Sequence, residues 1–253
     1  CGDALIMHRL PENYPGQMQI QEYLKTGDFR IVNLETTITD KNCYPSTFSG
    51  GTWLTAEAPV LDDLLDFGFN LWGIANNHML DYSYPGLFQT LSALRQRGIA
   101  FTGAGESLEK ASKAAIADSA AGRTALIALT STFDDSARAG IQGPYLPARP
   151  GINPMRFEQK YLLNQAHMDQ LKEIADVCNV NVKNKRRLKT GYKLQESNDI
   201  FEFKDMKFCL NAQEGKITIP STVDLNRTIR AIEELKRDVE HVVVMFHSHE
   251  MKD

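Results

Sequence analysis

Several features that would point to a specialised class of protein are scarce in this chain. Its four cysteines, in 253 residues, have no spacing typical of a metal site held by thiolates. No apolar run approaches the roughly 18 residues that a membrane-spanning helix needs, and no repeat or low-complexity tract is evident. The net charge of −4 gives no reason to expect nucleic-acid binding. The length fits one large α/β domain, or a domain with an insert, and is sufficient to bury a substantial core.

Residues 70–81 form the most informative segment. An apolar run at 71–75 predicts a buried strand, and it ends in Asn76, Asn77 and His78. Ligands of open α/β sheets bind at the carboxyl ends of strands. An amide offers a neutral oxygen to a metal, and an imidazole offers a ring nitrogen or a proton. The alternative is a polar turn with asparagine in a left-handed conformation.

Other predicted strands also end in acidic or imidazole side chains. Asp3 lies near the start of the chain, the β-rich run 29–37 contains Glu35, and the apolar run 241–246 is followed by His247. Each signal is weak alone. Together they predict a site assembled from strand ends, with oxygen and imidazole ligands. This mixture suits Mn, Fe or Zn better than a structural zinc site, which favours cysteine.

Four motifs occur at residues 2–9, 33–36, 75–81 with 86–91, and 247–250. They resemble motifs of the CapA family, which is named for poly-γ-glutamate capsule synthesis. The resemblance runs from residue 1 to about residue 155 and resumes near residue 217. The motif Asn-Asn-His-Xaa-Xaa-Asp, followed by a Gly-Leu helix segment, is the specific one, whereas Gly-Asp is common.

The resemblance implies a fold and a metal centre. CapA proteins belong with the calcineurin-like metallophosphoesterases. The resemblance therefore implies an α/β fold, a four-layer α/β/β/α sandwich. Residues 1–253 would form a single domain of this type, incomplete at both ends. It also implies two divalent cations, which would be Mn, Fe or Zn. The ligands would be the carboxylates of Asp3 and Glu35, the amide oxygen of Asn77 and the imidazole of His247.

The resemblance further implies roles around these ligands. His78 would be the general acid that protonates the leaving group, and Asp81 would orient its ring. His8 and Arg9 would bind an anionic substrate, because the planar fork of arginine fits phosphate or carboxylate. The plainer alternatives are that Arg9 is a surface cation, His8 a loop residue and Asp81 a helix N-cap.

The chain departs from the family pattern in its fourth motif and at its ends. The usual motif is His-Trp-Gly with a Glu four residues after the His, but here His249 replaces the Gly and Glu250 is only three residues on. Leu5 stands where general phosphoesterases carry a His. A final Gly-His-Xaa-Pro-His is expected beyond Asp253, and the chain opens on Cys1 without an initiator Met. We therefore expect a fragment whose metal site is short of ligands.

Residues 155–216 are predicted to form an insert. Within it we predict an amphipathic helix at 157–177, five basic residues within 183–189, and a strand pair at 200–203 and 207–210. The basic run is either a solvated face or a surface that holds an anionic substrate or polymer by charge. Outside the insert, helices are predicted at 58–67, 85–97 and 224–237, and strands at 114–118 and 124–130.

Two functions stay open at this point. One is a metal-dependent hydrolase that acts on a phosphoester or on an amide of a glutamyl polymer. The other is a non-catalytic accessory protein that binds poly-γ-glutamate or a membrane-associated capsule-synthesis partner. The family role implies the bacterial cell surface, whereas a chain with no anchor before residue 1 would be cytoplasmic.

Overall fold

The computed structural model describes residues 2–11, 14–40, 42–194, 197 and 199–249. The fold is mixed α/β. The chain divides into a first unit, Cys1–Met155 with Val223–Asp253, and a second unit, Arg156–Thr222.

Short strands and helices alternate along the chain, as the sequence predicts. No helix in the described ranges combines the length and the apolar character that crossing a membrane requires. The helices are α1 (Gln17–Leu24), α2 (Val60–Asp66), α3 (Ser83–Gln96), α4 (Leu108–Ser112), α5 (Gln165–Val177), α6 (Val182–Lys189) and α7 (Thr222–Leu235). The strands are β1 (Asp3–Ala4), β2 (Ile31–Leu34), β3 (Thr37–Ile38), β4 (Thr55–Ala56), β5 (Leu71–Gly73), β6 (Phe101–Thr102), β7 (Ala104–Gly105), β8 (Ala115–Ser119), β9 (Gly122–Thr130), β10 (Gly151–Ile152), β11 (Phe157–Leu163), β12 (Ile200–Phe203), β13 (Met206–Leu210), β14 (Gly215–Pro220) and β15 (His241–His247).

A four-stranded parallel sheet in the first unit places most of the predicted ligands at one edge. Its strand order is β1-β2-β5-β6, and Asn33 is in register with both Asp3 on β1 and Gly73 on β5. Parallel strands need crossover connections, and here helices supply several of them. Because the strands run in one direction, the residues that follow β2 and β5 leave the sheet at the same edge.

A second sheet of the first unit, in the order β15-β9-β8, packs against the first. β15 pairs with β9 in parallel, from His241 to His247. Gly73 of β5 lies against this sheet, because an added Cβ would collide with Met245 Sδ and lie 3.2 Å from Ala128 Cβ. Leu71, Leu126 and partly buried Met245 share one apolar cluster between the two sheets.

Helices of the first unit contribute to two of its apolar clusters. Apolar residues of α2 and α3, such as Leu61 and Leu91, join Trp72 and Leu34 in the largest buried cluster. Burying side chains of this size contributes roughly 1.5–3 kcal/mol each. Ile232 of α7 packs with the cluster that the β9 residues form on the other side.

The helices predicted at 58–67, 85–97 and 224–237 are confirmed as α2, α3 and α7, within a few residues. Gly68 and Gly98, which follow α2 and α3, have left-handed φ of 82° and 64°, the conformation that ends many helices. The antiparallel pair of β8 and β9 confirms the strands predicted at 114–118 and 124–130.

The predicted helix at 157–177 is wrong in its first third. Phe157–Leu163 is strand β11, which pairs with β13 on one side and β14 on the other. The helix α5 begins only after Asn164, whose side chain accepts a hydrogen bond from the His167 backbone N–H as an N-cap. Pairing on both edges outweighed the local helical pattern. The strand pair β12 and β13 is confirmed. The prediction that residues 155–216 form an insert within a single domain stays a prediction.

Candidate metal and catalytic site

Four side chains that the sequence predicts as ligands lie together at the edge of the two sheets. The imidazole of His247 is at their centre. Its Nε2 donates to Asn77 Oδ1 at 2.6 Å and lies 3.5 Å from Glu35 Oε1. Its Nδ1 lies 3.7 Å from Asp3 Oδ1. The first sheet supplies three of the four residues, and β15 of the second sheet supplies His247, so only the packing of the sheets assembles the set.

The electrostatics of this cluster suit a cation. Glu35 is only 3% exposed, and burial, together with the negative charge of Asp3, raises its pKa to about 7. In the described part of the chain, the ion-pair partners of Glu35 are the rings of His78 and His247. No Lys or Arg there lies within ion-pairing distance of its carboxylate. Burial lowers the pKa of His247, which favours the neutral form that binds metals. Carboxylate, amide and imidazole donors fit Mn, Fe or Zn.

His249 belongs to the same cluster, although the predicted ligand set does not include it. Glu35, His247 and His249 each offer a ligand atom, and these atoms lie within 4.8 Å of one another. The signal in the sequence is the His-Ser-His spacing after an apolar strand. Glu250, the other departure from the fourth motif, lies outside the described residues.

His78 and Asp81 form a pair beside the cluster. His78 Nδ1 donates to Asp81 Oδ2 at 2.7 Å, while His78 Nε2 faces Glu35 Oε1 at 3.8 Å. Asp81 is fully buried and also accepts from the backbone N–H groups of Gly50, at 3.1 Å, and Leu54, at 2.8 Å. Asp81 therefore orients the ring rather than capping α3, and it leaves Nε2 directed towards the cluster.

The loop around Gly50 closes over these residues. The Gly50 carbonyl accepts a hydrogen bond from Asn77 Nδ2 at 2.8 Å, which turns Asn77 Oδ1 towards His247. An added Cβ at Gly50 would lie 2.8 Å from both Cε1 and Nε2 of His78 and would collide with the Asn77 amide. Glycine is therefore required by close approach. Gly50 is not predictable from the sequence, because no local pattern links this loop to residues 77 and 78.

Two buried asparagines, which were also not predicted as part of the site, hold the predicted ligands in place. Asn33 Nδ2 donates to Asp3 Oδ1 at 2.8 Å and lies 3.3 Å from His247 Nδ1. Asn76 Nδ2 donates to Asn33 Oδ1 at 3.1 Å, which sets the direction of the Asn33 amide. Partners of this kind orient metal ligands. Their only signal in the sequence is their position beside Glu35 and Asn77 in the strand-end motifs.

His8 and Arg9 lie apart from the cluster. Both are exposed, and the Arg9 Nε donates to the Asp63 carboxylate at 2.8–2.9 Å. This hydrogen bond lowers the pKa of Asp63. Both residues line a groove of about 630 Å³ that also contains the acidic Asp40 and Glu57. The Arg9 fork is thus already engaged, and substrate binding by His8 and Arg9 stays a prediction.

The chain is similar to proteins of bacterial capsule synthesis. A family model described as "Bacterial capsule synthesis protein PGA_cap" matches residues 1–253. An uncharacterized protein of Sinorhizobium fredii is 34% identical over 179 residues, which cover 69% of this chain and 39% of that protein. "Capsule biosynthesis protein CapA" of Bacillus anthracis is 27% identical over 127 residues, 49% of this chain and 31% of that protein. "Probable polyglutamine synthesis accessory protein" of Mycobacterium tuberculosis is 36% identical over 97 residues, 35% of this chain and 23% of that protein. The chain thus spans 39% or less of the length of these relatives.

Proposed function

We propose that this chain acts in capsule synthesis as a metal-dependent hydrolase. The proposal proceeds from its family, because the chain belongs to the bacterial capsule synthesis protein PGA_cap family. Its substrate would be a phosphoester or an amide of a glutamyl polymer. One observation carries the proposal: Asp3, Glu35 and Asn77 converge around the imidazole of His247. The oriented pair of His78 and Asp81 lies directly beside them.

The four-layer α/β/β/α sandwich of the metallophosphoesterases is part of the same proposal. Its support is the packing of the first unit, in which α2 and α3 lie on one sheet and α7 on the other. The apolar cluster of Leu71 and Leu126 lies between the sheets. In such a fold the ligands from both sheets meet at one edge, which is where the four side chains are found.

The side chains of this site divide the chemical work. When bound, divalent cations act as Lewis acids and lower the pKa of water towards 7. His78 would hold a proton at Nε2, the atom that faces the cluster, and deliver it to the leaving oxygen or nitrogen. Asp81 accepts from Nδ1 and keeps the ring in this orientation. Gly50 and Leu54 in turn hold Asp81 through their backbone N–H groups.

The Asn77→Ala variant tests the metal centre. It removes one ligand oxygen and the hydrogen bond that Asn77 accepts from His247. We expect the variant to lose most of its metal, by 10-fold or more, the scale seen when groups around a metal are removed. The measurement is elemental analysis after loading with Mn²⁺ or Zn²⁺ and dialysis.

Asn153→Ala is the matched control. Asn153 is also a buried asparagine of the first unit, and its Nδ2 donates to the Ala128 carbonyl at 2.9 Å. Truncation of either amide is expected to destabilise the fold to a similar degree, but only Asn77→Ala should lose metal. Equal metal content in Asn77→Ala and wild type would exclude Asn77 as a ligand.

A non-catalytic accessory role is the second candidate, and a charge asymmetry favours it. The second unit, 156–222, contains twelve Lys and Arg against nine Asp and Glu, a net charge of +3, whereas the rest of the chain contains sixteen against twenty-three, a net of −7. In α6, Asn184 and Leu188 face the groove beside β12, while Lys183, Arg186 and Lys189 lie on other faces of the helix. Such a surface suits a glutamyl polymer.

Charge reversal tests this second candidate. We expect Lys183→Glu with Arg186→Glu to weaken binding of polyglutamate at least 10-fold at low salt, because two attractive charges become repulsive. Lys236→Glu with Arg237→Glu makes the same change of net charge at exposed residues of the first unit and should matter much less. The measurement is affinity at two ionic strengths, since screening should shrink the difference. A similar loss in both pairs would exclude α6 as a specific surface.

A metal-loaded wild type without turnover of phosphoesters or glutamyl amides would favour the accessory role.

A further inference from the structure

The two histidines at the end of β15 lie on one side of the chain. In an extended strand, residues two apart point to the same face. His247 is the last residue of β15, and His249 follows it with one residue between them. Their ring centroids are 4.9 Å apart, at an interplanar angle of 61°. Both rings are therefore presented to the same cluster.

The backbone beyond β15 is held in this direction by the segment that follows β9. Ser131 N donates to the His247 carbonyl at 3.0 Å, and Ser131 and Ser248 join through their hydroxyls at 3.0 Å. His249 N donates to Thr132 Oγ1 at 2.9 Å. These three bonds anchor the main chain around His249, while its ring is exposed.

We infer that His249 is a metal ligand, and that Glu35, His247 and His249 form one cation position with two imidazoles and one carboxylate. Their ligand atoms lie within 4.8 Å of one another. Ligands of one metal lie roughly 3–4 Å apart, given bonds of about 2.0–2.2 Å. Rotation of the exposed His249 ring closes that gap. The inference rests on the proposed metal centre and adds to it a ligand that the set of four does not contain.

The donor set also indicates which cation this position takes. Two imidazoles with one carboxylate is the set of several zinc hydrolases and of non-haem iron sites. Mg²⁺ and Ca²⁺ prefer oxygen ligands alone. This position therefore selects Zn²⁺ or Fe²⁺ over Mg²⁺ and Ca²⁺.

The test is the Zn²⁺ affinity of the whole chain, measured by competition with a chromophoric chelator. We expect His249→Ala to bind Zn²⁺ at least 10-fold more weakly than wild type. His241→Ala is the control, since His241 is exposed at the other end of the same strand and should bind as wild type does. Because His249 is exposed, its variant should keep the thermal stability of the metal-free protein. With Co²⁺ in place of Zn²⁺, loss of one imidazole should also change the visible spectrum.

The outcomes separate this inference from the proposed centre. Wild-type affinity for Zn²⁺ and an unchanged Co²⁺ spectrum in His249→Ala, together with weak binding by Asn77→Ala, would overturn the role of His249 and leave the centre standing. Absence of metal binding in every protein, wild type included, would overturn both. Weaker Zn²⁺ binding in His249→Ala with unchanged Mg²⁺ binding supports the inference.

Discussion

The His78→Ala variant is expected to keep its metal while its turnover falls about 100-fold or more, the usual scale of a general-acid contribution. The reason is geometric. His78 Nδ1 is committed to Asp81, so Nε2 is the atom available to a leaving group, and it lies 3.8 Å from Glu35. The measurement pairs steady-state hydrolysis with elemental analysis of the same preparation.

The choice of substrate provides the internal control for His78. A nitrophenyl phosphodiester has a good leaving group and needs little protonation, so His78→Ala should impair it much less than an alkyl ester. Loss of metal together with activity would make His78 a ligand instead. A loss of equal size on both substrates, with metal retained, would assign His78 a role other than proton donation.

Glu35→Gln should stabilise the metal-free protein at pH 8 while it abolishes tight metal binding. Burial and the charge of Asp3 raise the pKa of Glu35 from an ordinary 4.5 to about 7. Between pH 4.5 and about 7 the folded state therefore holds a proton that the unfolded state releases. The contribution of Glu35 to the free energy of unfolding is complete below pH 4.5 and is lost as the pH rises through about 7. At pH 8 the full loss is about 3 kcal/mol, from 1.36 kcal/mol per unit of pKa.

The measurement is urea unfolding in the presence of a chelator at pH 5 and pH 8. Gln resembles the protonated carboxyl, so the variant should exceed wild type in unfolding free energy by about 1 kcal/mol at pH 5 and about 3 kcal/mol at pH 8. Zn²⁺ at about 1,000 times its Kd should reverse the order at pH 8. At that concentration the ligand stabilises by about 4.1 kcal/mol, which exceeds the difference of about 3 kcal/mol, and only wild type would bind it.

Glu106→Gln provides a control of opposite sign. The hydrogen bond from Arg95 lowers the pKa of Glu106, so this carboxylate stabilises the fold above its ordinary pKa, and that stability is lost as pH falls. Its amide variant should therefore be slightly less stable than wild type at pH 8. A metal-free Glu35→Gln that is also less stable than wild type at pH 8 would contradict the account of Glu35 as a buried carboxyl with a raised pKa.

The sequence by itself determined where the ligand-type residues lie along the chain. An apolar run must be buried, and the polar residues that follow it must leave the sheet at the strand end. Glu35, Asn77 and His247 were predictable on this ground, and so were strands β5, β9 and β15. The main helices were equally readable, because a repeat of 3.6 residues and a terminal glycine are local properties.

The tertiary structure alone decided which of these residues touch. Asn33 lies 214 residues from the His247 imidazole that it contacts, and Gly50 closes over Asn77 from a loop 27 residues away. No local pattern encodes such contacts, which depend on how two sheets pack. The same holds for β11, where pairing with two strands outweighed a helical pattern at Phe157–Leu163. Local propensities contribute only tenths of a kcal/mol per residue, so non-local pairing and burial determine the outcome wherever the two conflict.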